Sequence, residues 1–210
     1  MPPRRARVNR IAARSPKDPA AMGLSALFRR KPHERAGFLL YGAAVAAARH
    51  PYFFDRLGAP DSLDGRFDLV GLHVALLIHR LRRDADARGA ALAQAVFDAM
   101  FADMDVNLRE MGVGDLAVGK RVRRMWEAFH GRAQAYEAAL EAADAEAFAA
   151  ALQRNVWRSE GEASPAARRL AGHARATAAA LAAQPLAPLL RGEVRFPDPV
   201  PGPEEPADAA

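Results

Sequence analysis

The 210-residue sequence contains no cysteine, which excludes disulfide frameworks, zinc sites with thiolate ligands and cysteine nucleophiles. Lysine is nearly absent, since only Lys17, Lys31 and Lys120 accompany 27 arginines. This preference for arginine over lysine is more typical of a codon bias than of a functional choice. No apolar run approaches the roughly 18 residues needed to cross a bilayer. β-Branched residues are few and alanine is abundant, so the composition favours helices over strands.

Charge is distributed unevenly along the chain. Residues 1–35 hold ten basic and two acidic side chains, whereas the remainder holds twenty basic and twenty-three acidic ones. We therefore predict a basic, disordered arm at residues 1–35, and the pI near 10.2 reflects this arm rather than the domain. Such an arm either contacts a phosphate-rich surface, meaning nucleic acid, ribosome or anionic lipid, or is a solvated tail. Met22 is an alternative start to Met1.

Apolar periodicity predicts one all-α domain of about six helices at residues 36–184. The second predicted helix is apolar nearly all round, which indicates a central, buried position. The proline-rich residues 185–210 are predicted to form an extended, mostly disordered tail, with 193–197 lying along the domain. The predicted helices cover residues 35–49, 67–82, 88–111 and 115–143, a fifth that starts at Asp144, and a sixth that begins at a Ser164-Pro165 cap and ends near Gln184.

The segment from Gly114 to Lys120 has the G-x-x-x-x-G-K spacing of a phosphate-binding loop. That loop needs a preceding strand and a following Ser or Thr, but here a predicted helix precedes it and Arg121 follows. We therefore interpret the glycines as a junction between two helices. Gly112 ends the first helix, and Asp115 caps the second.

Polar residues on the third predicted helix are candidate site residues. On a helical projection Asn107 lies near the middle of the apolar face, while Asp103 and Glu110 lie at its edge. Buried polar groups need partners, and Arg66 or side chains of the second predicted helix, such as His73, are placed to supply them. The arrangement is either a structural polar network or a cleft that receives a ligand or peptide.

Two further groups of residues were considered as sites. His73 and His79 are six residues apart and point in different directions, so we predict no metal site there. The start of the fourth predicted helix is a basic turn, either a solvated face or a contact for an anionic surface, and no aromatic pattern for stacking bases accompanies it. The basic turn consists of Lys120, Arg121, Arg123 and Arg124.

Several of these stretches resemble the ubiquinol–cytochrome c chaperone family, over about residues 36–157. The most specific is the Leu-Arg-Glu-Met-Gly-Val-Gly-Asp run at 108–115, which is long and unusual. Ser62 stands where the family has Thr, a chemically mild departure. The other stretches are Pro60–Phe67, Leu72-His73, Phe97-Asp98 to Met104-Asp105, and Phe129–Arg132 with Tyr136.

The resemblance implies an all-α, non-enzymatic assembly chaperone that needs no cofactor or metal and binds cytochrome b during biogenesis of the bc1 complex. Together with the arginine bias, it leads us to expect a bacterial cytoplasmic protein that is peripheral at the inner membrane or the ribosome through its basic residues, with no specific DNA partner. Flexible methionines suit an adaptable client surface. These methionines are Met100, Met104, Met111 and Met125.

An alternative from a different class stays open, namely a helical small-molecule or cofactor-binding protein that uses a polar cleft near Asp103 and Asn107. An enclosed pocket would favour it, and an open groove would not. We also expect at least one of Arg109, Glu110 and Asp115 to pair within the domain. The candidate client-binding residues are Arg66, His73, Asp103, Asn107, Arg109, Glu110, Asp115 and Arg132.

Overall fold

A computed structural model describes residues 33–200, and all structural statements below concern this part of the chain. It folds into eight α-helices without strands, which confirms the all-α prediction. The six long helices correspond to the six predicted ones, and the short α2 and α8 are additional. The helices are α1 Glu34–Ala48, α2 Tyr52–Asp55, α3 Leu63–Arg82, α4 Ala87–Glu110, α5 Asp115–Glu141, α6 Ala145–Val156, α7 Pro165–Ala182 and α8 Leu186–Leu190.

Capping side chains set where the long helices begin. Ser164 accepts a hydrogen bond from the backbone N–H of Ala167, with Pro165 in the first helical position, as predicted for α7. The side chain of Ser62 accepts from Gly65 N at 3.2 Å, so α3 starts at Leu63. The predicted start at residue 67 was wrong because the first turn of α3 contains the polar and glycine residues that are also common in loops.

The junction between α4 and α5 corrects one further detail. Gly112 adopts a φ of 76°, a left-handed conformation that suits glycine after a helix end. The N-cap of α5 is Gly114, not Asp115, and no side chain caps the helix there. Asp115 is instead the first helical residue, where its carboxylate interacts favourably with the helix dipole.

Helix α3 lies at the centre of the fold, as its apolar composition predicts. It packs against α1, α4, α5, α6 and α7, and seven consecutive residues from Gly71 to Leu77 are buried. A helix surrounded on all sides has no solvent face, which explains the absence of an amphipathic pattern. Side chains on every side of α3 contribute to the core, including Leu69, Leu72, Val74, Leu76, Leu77 and Leu81.

The segment after α7 packs against the domain as far as the structure describes it. Leu189 of α8 is fully buried, and the ring of Phe196 lies 5.8 Å from that of His73 between centroids. The amide side chain of Gln184 accepts from Arg195 N at 2.9 Å and donates to Arg195 O at 2.7 Å. Residues 193–197 therefore lie along the domain, as expected, whereas α8 was not anticipated in this proline-rich stretch.

Two sequence predictions fall partly outside the described residues. The basic arm at 1–35 is described only from His33 onward, where α1 begins at Glu34. The last ten residues of the tail, 201–210, are likewise outside. Between residues 33 and 200, no helix has the combination of length and apolar character that spanning a membrane requires.

Candidate functional site

A cleft of about 550 Å³ opens between the α1–α3 side of the domain and the α4–α5 hairpin. It stays open because α5 packs mainly through its second half. Of the side chains described between residues 115 and 128, only that of Val118 is buried. The apolar part of the lining consists of Val45, Leu63, Phe67, Val70, Met104, Leu108, Met111, Met125 and Ala128.

Three of the four methionines expected at an adaptable surface contribute to this lining. Met104, Met111 and Met125 face the cleft, with Met111 53% exposed. Met100 is fully buried in the core instead. Unbranched thioether side chains can adjust to different apolar partners, so the cleft has an apolar wall of adaptable shape.

Arginine dominates the polar part of the lining, which contains only two acidic residues, Asp64 and Asp103. Arg66 pairs with Asp61 at 2.5 Å, and this guanidinium lowers the pKa of the Asp61 carboxyl. The cleft therefore carries an excess of positive charge. The six arginines are Arg49, Arg66, Arg121, Arg124, Arg132 and Arg158.

Two of these arginines share one buried carboxylate. Asp68 of α3 has a side chain that is 0% exposed, and its two oxygens accept hydrogen bonds from Arg132 and, at 2.7 Å, from Arg158 Nη2. Burial raises the pKa of Asp68 to about 6, an effect that the two guanidiniums only partly oppose. This ion triad fixes α5 and the end of α6 against α3 and orients one wall of the cleft.

Asp68 and Arg158 were missed by the sequence predictions, although a signal for Asp68 exists. Asp68 is the one acidic residue of the predicted helix at 67–82, which is otherwise apolar nearly all round, so its carboxylate is expected to be buried and to need a cationic partner. Arg158 gave no such signal, because it lies in a loop and adopts an unusual φ of 54°.

A second acidic residue, Asp103 of α4, lies at the edge of the cleft. The hydroxyl of Tyr41 donates a hydrogen bond to Asp103 Oδ2 at 2.7 Å. Burial, followed by this carboxylate, raises the pKa of Tyr41 well above its ordinary value. The partner of Asp103 thus comes from α1, not from Arg66 or α3 as expected. Asn107 also lines the cleft, but it is exposed rather than central to a buried face, and its amide donates to Asp103 O at 2.8 Å.

His73 lies in the core rather than in the cleft, so the fold does not bring it together with the other residues predicted for client binding. It is 1% exposed, and one ring nitrogen lies 2.8 Å from Leu69 O. Its ring packs against those of Phe53, His173 and Phe196. Burial lowers the pKa of His73 to about 4, so this histidine is a neutral core residue at physiological pH.

The run at 108–115 divides between the cleft and the outer surface. Leu108 lines the cleft together with Met111. Arg109, Glu110 and Asp115 are exposed and do not line it. Arg109 forms ion pairs with Asp115 and, at 2.7 Å, with Asp105, which confirms that at least one of the three pairs within the domain.

The residues of the basic turn of α5 also divide between the cleft and the outer surface. Arg121 and Arg124 line the cleft, whereas Lys120 and Arg123 do not. Arg123 pairs with Glu127 at 3.0 Å on the outer surface. Gly119 and Lys120 lie inside a helix that follows another helix, so the G-x-x-x-x-G-K spacing is a helix junction and not a phosphate-binding loop.

No group of three or more His, Asp or Glu side chains in the described range is arranged to hold a metal ion. Of the residues predicted for client binding, the fold brings together Arg66, Asp103, Asn107 and Arg132, and it adds Arg121 and Arg124 from the basic turn. These residues come from α3, α4 and α5.

Comparison with known proteins identifies the family of the chain. The family model described as Ubiquinol-cytochrome C chaperone matches residues 55–196, which include α3 to α7. The chain belongs to the ubiquinol–cytochrome c chaperone family. A relative in this family, the ubiquinol-cytochrome-c reductase complex assembly factor 1 of Xenopus laevis, is 26% identical over 121 residues, which make up 58% of this chain and 60% of the frog protein. The match thus spans less than two thirds of that relative.

A solved crystal structure has the same fold. The crystal structure of the Cbp3 homolog from Brucella abortus superposes with a TM-score of 0.70 at 36% identity, covering 84% of this chain and 97% of that one. Helix α1 contributes Tyr41 and Val45 to the cleft and is followed by Arg49, and all three residues precede the span matched by the family model. In this ubiquinol–cytochrome c chaperone the cleft is therefore only partly built from the family-matched region.

Proposed function

We propose that this chain is a non-enzymatic assembly chaperone that binds cytochrome b during biogenesis of the bc1 complex, and that the cleft receives the client. The observation that carries the proposal is an open, apolar cleft built largely from the family-matched helices. The name of the frog relative, an assembly factor of the ubiquinol-cytochrome-c reductase complex, supports the same role.

The chemistry of the cleft suits such a client. A membrane-protein segment exposes apolar side chains to water before it is inserted, and a groove that covers them lowers the free energy of that state. Each Å² of apolar surface removed from water contributes about 25 cal/mol. Leu63 and Met111 are 61% and 53% exposed at the cleft, so apolar surface is available there.

The alternative, a small-molecule or cofactor-binding protein, receives less support. Its expected site included His73 and Glu110, which lie in the core and on the outer surface respectively. Asp103 and Asn107 do line a common cavity, but that cavity is partly open to solvent rather than enclosed. Small-molecule sites usually bury most of the ligand surface, and an open groove fits a polypeptide segment better.

Site-specific photo-crosslinking tests the proposal. Photoreactive residues at Leu63, Met111 and Met125 should capture cytochrome b in cells that assemble a bc1 complex. The same residues at the exposed positions Arg175 and Ala176 of α7 should not. Equal capture of cytochrome b from both faces would show that the cleft is not the client-binding site. A deletion strain with normal cytochrome b content and normal bc1 activity would refute the proposed function.

Further parts of the proposal concern location. We place the protein in a bacterial cytoplasm, in peripheral contact with the inner membrane or the ribosome through basic residues. The outer residues Lys120 and Arg123 and the arm at 1–35 are the candidates for this contact. Co-sedimentation with ribosomes and with anionic vesicles should weaken when residues 1–32 are removed, and unchanged co-sedimentation would exclude the arm.

A further inference from the structure

Three arginines that line the cleft have no carboxylate partner among residues 33–200. Arg49 follows α1, and Arg121 and Arg124 lie three residues apart on α5, so the latter two share one face of their helix. Within residues 33–200, none of the three forms an ion pair, whereas the other cleft arginines are each paired. The unpaired charges therefore come from two walls that face a common space.

These guanidiniums create a positive potential in the cleft that favours an anionic group. Like charges that converge beside an apolar surface raise the local potential, because the surface excludes water that would screen them. A guanidinium forms paired, charge-assisted hydrogen bonds with a carboxylate. Neither acidic residue of the lining, Asp64 or Asp103, forms an ion pair with Arg49, Arg121 or Arg124 within residues 33–200, and Oδ2 of Asp103 accepts a hydrogen bond from Tyr41 instead.

The charge is also placed asymmetrically. The acidic residues of the lining lie on α3 and α4, while Arg121 and Arg124 lie on α5. An occupant that is apolar where it meets Met104 and Met125, and negatively charged on the flank that faces α5, would satisfy both surfaces. A purely apolar segment would leave the arginines beside apolar surface without counter-charge when it covers the cleft.

We propose that the cleft selects an apolar polypeptide segment that carries an aspartate or glutamate, whose carboxylate pairs with Arg121 and Arg124, with Arg49 adding to the attraction. This inference rests on the proposed function and deepens it, because it names the chemistry of the client segment. Specificity then comes from one buried charge in an otherwise apolar contact.

A matched pair of double variants tests the inference. Arg121→Gln/Arg124→Gln removes two charges that line the cleft, and Arg154→Gln/Arg175→Gln removes two charges on α6 and α7 that do not line it. All four side chains are exposed, so both variants should keep the wild-type circular dichroism and melting profile. Capture of cytochrome b by a photoreactive residue at position 63 should fall about tenfold in the cleft variant and less than about twofold in the control.

A binding measurement with defined probes separates the possible occupants. The full chain should bind a fluorescent leucine–alanine peptide with one central glutamate more tightly than its glutamine counterpart, and raised salt should reduce this preference. The cleft variant should bind the two peptides equally. One-to-one binding of oleate that depends on Arg121 and Arg124, without preference for the glutamate peptide, would assign the cleft to an anionic lipid and overturn the inference.

Failure of the inference and failure of the function give different results. If the wild-type chain captures cytochrome b and the cleft variant captures it equally well, the function stands and the charge selection is refuted. If the wild-type chain captures no cytochrome b, the proposed function is refuted. In that case the glutamate and glutamine peptides still decide whether the cleft selects a carboxylate.

Discussion

Replacing Arg132 with glutamine should destabilise the domain, because it leaves a buried carboxylate with one weaker partner. The side chain of Asp68 is 0% exposed, whereas those of Arg132 and Arg158 are 19% and 50% exposed. Arg132 is thus the better shielded of the two cations. Removing one partner of a buried ion pair costs about 3–5 kcal/mol. We expect about 3 kcal/mol, at the lower end of that range, since Arg158 stays in place.

The loss of stability in the Arg132→Gln variant should depend on pH. Because burial raises the pKa of folded Asp68 to about 6, the folded state binds a proton more tightly than the unfolded state. Its free energy of unfolding therefore falls as the pH rises from about 4 to about 6. Without Arg132 the pKa of Asp68 rises further, so in the variant this fall continues above pH 6. The deficit relative to wild type should be smallest below about pH 6 and should grow above it by at most about 1.4 kcal/mol per pH unit.

Urea unfolding followed by far-ultraviolet circular dichroism, at acidic and at mildly basic pH, measures both effects. Arg123→Gln, which removes an exposed pair with Glu127, is the control and should change the free energy of unfolding by less than about 0.5 kcal/mol. The double variant Asp68→Asn/Arg132→Gln should recover part of the loss, since no buried charge remains. The assigned role of Arg132 would be refuted if its replacement lowered the free energy of unfolding by less than about 1 kcal/mol, or by the same amount at both pH values.

Four further substitutions test the packing, the capping and the surface ion pairs of the fold. In Gly37→Ala the new Cβ would lie 2.6 Å from the carbonyl carbon of Ala95, so α1 must move away from α4. This displacement should lower the free energy of unfolding by about 1–3 kcal/mol, as measured by thermal unfolding. Gly42→Ala on the same helix meets no atom within 4 Å and should instead stabilise by up to about 1 kcal/mol. Ser164→Ala removes the cap of α7 and should cost about 1 kcal/mol in urea unfolding. Arg109→Ala breaks only exposed ion pairs, so it should lower the free energy of unfolding by less than about 1 kcal/mol. A larger decrease would contradict the description of these pairs as exposed.

The long helices were predictable because apolar periodicity and capping residues act over short stretches of sequence. The Ser164-Pro165 pair marks the start of α7 without reference to any other part of the chain. The short helices α2 and α8, of four and five residues, were not predictable in this way, since a single turn contains no periodicity. The early start of α3 was missed because residues that cap and open a helix also form turns.

The candidate site was only partly predictable. Arg66, Asp103, Asn107 and Arg132 do line one cleft. Periodicity gives the angle at which a side chain leaves its own helix, but not which helix lies opposite. For this reason Tyr41, far earlier in the chain, could not be identified as the partner of Asp103.

The sequence by itself determined the helical class, the central position of α3 and the helix junction at 112–115, because composition, periodicity and glycine placement are local properties. Only the tertiary structure decided that His73 is a core residue and that Arg121 turns to the cleft while Lys120 does not. His73 is enclosed by rings from α2, α7 and the segment after α8, and the direction of Arg121 depends on how far α5 stands from α4 and α3. That spacing is set by contacts distant in sequence, such as the ion pairs of Asp68 with Arg132 and Arg158.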